Sequence, residues 1–160
     1  MKDEIEAICV LTNGSVKGYI IFKEDIKNNE TVIKVNITNI PRGKHGFHIH
    51  TSGDLREGCN SLCSHYNPYN KKHGGPNSRE RHVGDLGNIV SKSKKEIIKI
   101  EMRDKKIKLR GKYSIIGRSV VIHSGEDDLG KGNNAESLRT GNAGKRIGCG
   151  VIGFSKNCNA

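Results

Sequence analysis

The sequence predicts an all-β protein, built from eight short strands arranged as a closed or sandwiched Greek key with two long loops. Three observations carry this. Apolar residues alternate with polar ones in short runs, most clearly at Ile33, Val35 and Ile37, the period of a strand with one buried face. Twenty glycines and frequent asparagines break the chain into runs too short for typical helices. Helical periodicity is almost absent, with only residues 134–138 able to form a turn or two.

Residues 5–12 open the chain as a first strand and end at Asn13-Gly14, a pair that predicts a two-residue hairpin, with 15–22 as the return strand. A Lys- and Asn-rich loop leads to residues 32–38, the clearest alternating run. Pro41 and Gly43 punctuate the approach to a fourth strand that ends in Gly46-Phe47-His48-Ile49-His50. Residues 51–81 lack periodicity and are dominated by Gly, Asn, Ser and Pro. A loop of this length in a compact domain needs a functional reason to be ordered. Strand character resumes at 83–90 and continues through 94–108 with a turn at Arg103-Asp104, then through 113–123 around Gly117. A second irregular stretch, 124–145, precedes the last strand at 147–154. There are no repeats and no linker, so residues 1–160 are expected to form one domain.

The chemistry is concentrated in the histidines. His48 and His50 stand at i and i+2 on a strand, so their imidazoles project from the same face. His65, His73 and His82 follow in the first long loop or at its end, with Asp85 two residues beyond His82, and His123 closes an apolar strand. This is a set of nitrogen donors with one carboxylate, suited to copper and zinc. Any one of these histidines alone would read as an ordinary surface residue; the ordered set does not.

Lys plus Arg outnumber Asp plus Glu by 28 to 17, a net charge of +11 that favours anionic partners. No arginine-rich or aromatic-interleaved element marks a nucleic-acid reader, so nucleic acid is not the expected partner. The opening MKDEIEAICV lacks an apolar signal region and no run is long enough to span a bilayer, so a cytoplasmic protein without membrane contact is expected. The five cysteines, Cys9, Cys59, Cys63, Cys149 and Cys158, contain no CxxC pair, which argues against a zinc finger or a thioredoxin-type site. Cys59 and Cys149 could staple the histidine loop to the last strand, but residue positions alone leave the pairing open.

The ordered set GFHIH (46–50), Asn67-Pro68, HGGP (73–76), RHVGDLGN (81–88), DDLGKG (127–132), TGNAG (140–144) and CGVIG (149–153) resembles the copper–zinc superoxide dismutase family. The likeness runs nearly end to end in order and spacing. It implies an eight-stranded flattened Greek-key β-barrel, sandwich-like, with two long functional loops, and an enzyme that converts superoxide to oxygen and hydrogen peroxide. By the same resemblance His48, His50, His65 and His123 hold copper, while His65, His73, His82 and Asp85 hold zinc, with His65 shared as an imidazolate. Asp127 matches the carboxylate that bonds one ligand of each metal, Arg146 the residue that guides the anionic substrate, and Thr140 the residue narrowing the channel. Cys59 and Cys149 match a disulfide. His45 matches a structural histidine rather than a ligand. The family also implies a homodimer, here with Ile116, Gly117, Val151, Ile152, Gly153 and Phe154 as candidate interface residues, and a copper chaperone as a partner in metal loading.

Several features depart from the family pattern. The chain is strongly basic where many members are acidic or neutral, Ala135 replaces a common acid, Arg139 stands where Lys is usual, and Cys63 has no clear counterpart. Steering of the substrate should therefore be intact and salt-sensitive. Two other classes fit parts of the sequence. A catalytically dead relative would lose copper ligands or the arginine, and all are present here. A polyanion-binding module would be supported by a basic tail, and residues 155–160 hold a single lysine.

Overall fold

The computed structural model describes residues 3–157, so the tail thiol Cys158 lies outside the described residues. The chain forms β1 (Glu4–Val10), β2 (Asn13–Gly14), β3 (Lys17–Asp25), β4 (Glu30–Thr38), β5 (Gly43–His50), β6 (Asp85–Ser91), β7 (Ile98–Asp104), β8 (Ser119–His123) and β9 (Arg146–Phe154), with a 3-10 turn at Gly58–Ser61 and a helical turn α1 (Ser137–Thr140). Around the sheet the order is β6-β5-β8-β9-β1-β3-β4-β7, with every paired neighbour antiparallel. Only β6 and β7, consecutive in sequence, are unpaired across the seam, so the eight long strands make a nearly closed Greek-key barrel.

Alternation places the inner side chains. Ile33, Val35 and Ile37 of β4 are buried as predicted, and face Ile20 and Phe22 of β3 and Phe47 and Ile49 of β5 in one aliphatic core. With no Trp in the chain, Phe22 and Phe47 are the largest fully buried side chains. The same alternation turns His48 and His50 to the outside of the barrel, where the two long loops cover them. Beneath those loops Leu62, Val121 and Cys149 form a second, smaller apolar cluster on the outer face.

The structure corrects two expectations. Asn13-Gly14 does not make a two-residue hairpin. These residues form β2 and pair with Cys149 and Gly148 of β9, and residues 11–16 connect β1 to β3. Gly14 is spent on close approach: a Cβ there would lie 2.3 Å from the Ile147 carbonyl oxygen. The run 113–123 is also not one strand. Arg118 N donates to Ile115 O, a turn with Gly117 at φ +83°, and only Ser119–His123 is extended. The Arg103-Asp104 turn appears as expected, because the Asp104 carboxylate accepts from the backbone N–H groups of Lys106 and Ile107. Among the described residues no helix is long and apolar enough to cross a membrane.

Candidate metal centre

The site is assembled on the outer face of β5. His48 and His50 sit near its end, and His123 ends the neighbouring β8. The loop 51–84 is drawn onto the same strand by backbone bonds from Tyr66 N to Ile49 O, from Ile49 N to Gly84 O and from Gly84 N to Tyr66 O, which bring His65 opposite His50. The predicted ligands therefore converge from four segments remote in sequence. Ligand atoms of His48, His50, His65 and His123 lie within 4.8 Å of one another, as do those of His65, His73, His82 and Asp85. His65 belongs to both sets.

The second set has the dimensions of a tetrahedral cation site. Asp85 Oδ1 stands 3.0 Å from His65 Nδ1, 2.9 Å from His73 Nδ1 and 3.1 Å from His82 Nδ1, and His65 Nδ1 is 3.3 Å from His82 Nδ1. A tetrahedron with metal–nitrogen bonds of about 2.0 Å has edges of about 3.3 Å, so these four atoms fit around one zinc ion. His73 Nδ1 makes no aligned hydrogen bond despite its nearness to Asp85. Since His65 Nδ1 points into this set, its Nε2 is left for the other one. There, His50 Nε2 and His123 Nε2 approach to 3.4 Å, and His48 Nδ1 is buried with no hydrogen-bond partner among the described residues. Unpartnered nitrogen lone pairs facing one point are costly unless a cation takes them, and four nitrogens suit copper.

The outer nitrogens of these rings are held in turn. Asp127 bridges the two sets: Oδ2 is 2.6 Å from His48 Nε2 and Oδ1 is 2.7 Å from His73 Nε2. Asn88 locks the backbone that carries this carboxylate, donating from Nδ2 to Asp127 O and accepting from Asp127 N. Gly141 must be glycine, because a Cβ would fall 2.1 Å from Asp127 Oδ1, and its φ is +72°. His50 Nδ1 faces the Cys63 carbonyl at 2.8 Å and His123 Nδ1 the Gly144 carbonyl at 3.0 Å, which leaves each Nε2 lone pair turned inward. His45, expected not to be a ligand, has Nδ1 2.9 Å from His123 O and Nε2 2.7 Å from Pro41 O, so both its nitrogens are engaged by backbone.

Electrostatics favour neutral donors. Burial, followed by the fields of His65 and His123, holds His48 well below its ordinary pKa, and burial with His65 does the same for His50. Burial lowers His65 and brings His123 down to about 4. His73 runs the other way: burial opposes its charge, but the hydrogen bond to Asp127 and the Asp85 carboxylate close beside it lift it to about 9. Burial also works against the Asp85 anion, yet hydrogen bonds to His65 and His82 and the nearby His73 ring keep its carboxyl far below the usual range.

A cleft of about 620 Å³ opens onto the first set, lined by His50, His65 and His123 with Arg146, Thr140 and Glu136 at its walls. Arg146, the first residue of β9, donates from Nη1 to Cys59 O at 2.8 Å and from Nη2 to Cys63 O at 2.7 Å. It makes no ion pair among the described residues, and burial lowers its pKa from the free-arginine value. Glu136 is tied to Arg139 at 2.6 Å and accepts from Thr140 Oγ1 at 2.8 Å, so its charge is partly neutralised beside the mouth. Cys59 and Cys149 form the expected disulfide, with Cα atoms 5.8 Å apart.

Three supporting features escaped the sequence reading. The Cys63 and Gly144 carbonyls that orient His50 and His123 are backbone groups without a side-chain signature, although Cys63 at φ +65° marks an unusual conformation. The reciprocal Asn88–Asp127 pair joins residues 39 apart. Arg81, beside the candidate ligand His82, is buried and donates to Asp104 at 2.6 Å and to the carbonyls of Pro76, His82 and Val83, clamping the loop 51–84 to the end of β7.

The comparisons agree with this geometry. Residues 16–152 match a sequence model described as copper/zinc superoxide dismutase. Over 153 residues the chain is 54% identical to the superoxide dismutase [Cu-Zn] of Paramecium bursaria Chlorella virus 1, covering 95% of this chain and 80% of that protein. It is 52% identical to superoxide dismutase [Cu-Zn] 5 of Dictyostelium discoideum, covering 95% and 99%. Among solved structures it resembles the clock protein EA4, with a TM-score of 0.89, 43% identity and coverage of 97% of this chain and 98% of that one. With donor sets of four nitrogens and of three nitrogens plus a carboxylate sharing one imidazole on a Greek-key barrel, the chain belongs to the copper/zinc superoxide dismutase family.

Proposed function

We propose that the protein dismutes superoxide to oxygen and hydrogen peroxide, with His48, His50, His65 and His123 holding copper and His65, His73, His82 and Asp85 holding zinc. The observation that carries this is the position of His65, whose two ring nitrogens serve two donor sets beneath a cleft walled by an unpaired arginine. Bound copper supplies a one-electron couple at the floor of the cleft, and zinc supplies fixed positive charge behind His65.

The chain's own residues do the rest. The guanidinium of Arg146, fixed by the carbonyls of Cys59 and Cys63, attracts and orients an anion about the size of dioxygen. Thr140 and the Glu136–Arg139 pair narrow the approach. His65 Nε2 carries a proton to the departing peroxide, while its Nδ1 stays anchored among His82 and Asp85. Asp127 keeps His48 and His73 in register through the cycle. Residues 1–160 act as one domain.

A homodimer fits the outer surface of β9. Phe154 is 46% exposed, Ile116 and Val151 are half-buried, and Gly117 and Gly153 leave open space beside them. Ile152 points into the core, so it supports this patch rather than facing a partner. Metal loading would use a copper chaperone.

Elemental analysis combined with a superoxide-decay assay tests the function, on protein prepared with and without added copper and zinc. Rapid decay that requires copper, with both metals bound, is the expected result. Fully loaded protein that decays superoxide no faster than buffer would refute the reading.

A further inference from the structure

The excess positive charge is not spread evenly. Residues 103–112 carry six cations against a single acid, and residues 71–81 carry four against one. The fold brings these two segments together. They line a second cleft, about 360 Å³, that shares no residue with the copper-side cleft. Its walls hold six cations, Lys71, Arg79, Arg81, Lys105, Lys106 and Lys108, with Tyr69 and Tyr113 beside them.

Of these cations Arg81 alone is neutralised, by the buried carboxylate of Asp104. Among the described residues the other five make no ion pair. Lys108 Nζ donates only to the neutral Asn29 amide at 2.5 Å. Glu80, at the rim with Lys71 and Arg79, accepts from the Lys72 backbone N–H. Five unpaired cations around a concavity repel one another, and the low-dielectric walls focus their field.

The frame beneath them is rigid. Asp104 fixes the 104–107 turn through two backbone N–H groups, and Arg81 ties the opposite wall to three carbonyls. Tyr69 and Tyr113 pack ring to ring at 4.9 Å, and half of Tyr69 remains exposed at the edge of the cleft.

We infer that this cleft binds a compact, multiply charged phosphate anion, the chemistry shared by inorganic triphosphate and the phosphate tail of a nucleotide. Lysine ammonium groups and a free guanidinium take phosphate oxygens from several sides, and the cavity suits a short phosphate chain better than a polymer. The Tyr69 face offers a stacking surface to a base, so the nucleotide is the favoured source.

Calorimetric titration of the metal-loaded protein with inorganic triphosphate and with ATP, at about 0.1 M salt, tests this. Saturable one-to-one binding of both is expected. The exposed pair K105E/K106E should weaken it by about tenfold or more, since two attractions become repulsions. The control pair K94E/K95E makes the same change in net charge away from the cleft and should alter binding by no more than about twofold. Tyr69→Ala should weaken ATP alone if the nucleotide is the source; equal affinities unaffected by Tyr69→Ala would identify the phosphate chain itself as the recognised group. Three results would each overturn the inference: no saturable binding, equal weakening in both charge-reversed pairs, or retention of polynucleotide without triphosphate binding.

Discussion

Arg146 Nη2 donates to the carbonyl oxygen of Cys63 at 2.7 Å, so the cation on the wall of the cleft is positioned by a backbone group of the loop opposite. The same guanidinium holds the carbonyl of Cys59, whose sulfur is bonded to Cys149 three residues along β9. Arginine and disulfide are two ends of one clamp between the strand and the metal loop.

Replacing Arg146 by Ala should lower turnover by about 10- to 100-fold, because it removes the cation on the wall of the cleft. Copper and zinc content should not change, as Arg146 touches neither donor set through its side chain. Turnover of the parent protein should fall as ionic strength rises, and less steeply in the variant. A flat salt profile in the parent would count against steering by this field.

Cys59→Ser should destabilise the protein by about 2–5 kcal/mol, the range for opening a long cross-linked loop. Here the bond spans 90 residues. Because the Cys59 carbonyl is also an anchor of Arg146, turnover should drop as well, even at temperatures where the protein stays folded. Denaturant unfolding at fixed metal content, read beside the rate, checks both.

Asp127→Asn should reduce metal affinity by about 10- to 100-fold, since an amide cannot accept from both His48 and His73. The residue touches one member of each set, so copper and zinc should both be held less tightly in chelator competition. Loss of one metal with full retention of the other would break the bridging role assigned to Asp127.

The Arg81–Asp104 pair is almost fully buried. Asp104→Ala should cost about 3–5 kcal/mol by leaving a guanidinium uncompensated, and the double change Arg81→Met with Asp104→Leu should recover much of that. Urea unfolding of the four proteins in the cycle gives the coupling directly.

In protein stripped of metal by chelation, the histidines pull in two directions with pH. His48, His50, His65 and His123 have depressed pKa values, His123 to about 4, so their contribution is present above the ordinary value of about 6.5 and is lost as pH falls toward 4. Asp85, also depressed, adds a loss below the ordinary carboxylate range. His73 is raised, so its contribution is complete below about 6.5 and disappears as pH climbs through about 9. The thermal midpoint of stripped protein should therefore peak between these limits. A midpoint that rises steadily as pH drops from 7 to 5 would contradict the assignment.

The donor residues were legible because their chemistry and period are local. Two histidines at i and i+2 share a strand face whatever the rest of the chain does, and the 33/35/37 alternation of β4 survives in the barrel for the same reason. The Asn13-Gly14 signal misled because a glycine that relieves a turn and a glycine that admits a neighbouring carbonyl look identical in sequence. Only the arrival of Ile147 beside it distinguishes them.

By itself the sequence determined the strand-rich architecture, the candidate donor residues and the family, since each depends on residue type, short-range period or ordered spacing. Tertiary structure alone decided which ring nitrogen faces inward, which carbonyls hold the other, and where the surplus lysines gather. Those outcomes depend on segments tens of residues apart closing to hydrogen-bond distance, and contact at that range leaves no periodic trace along the chain.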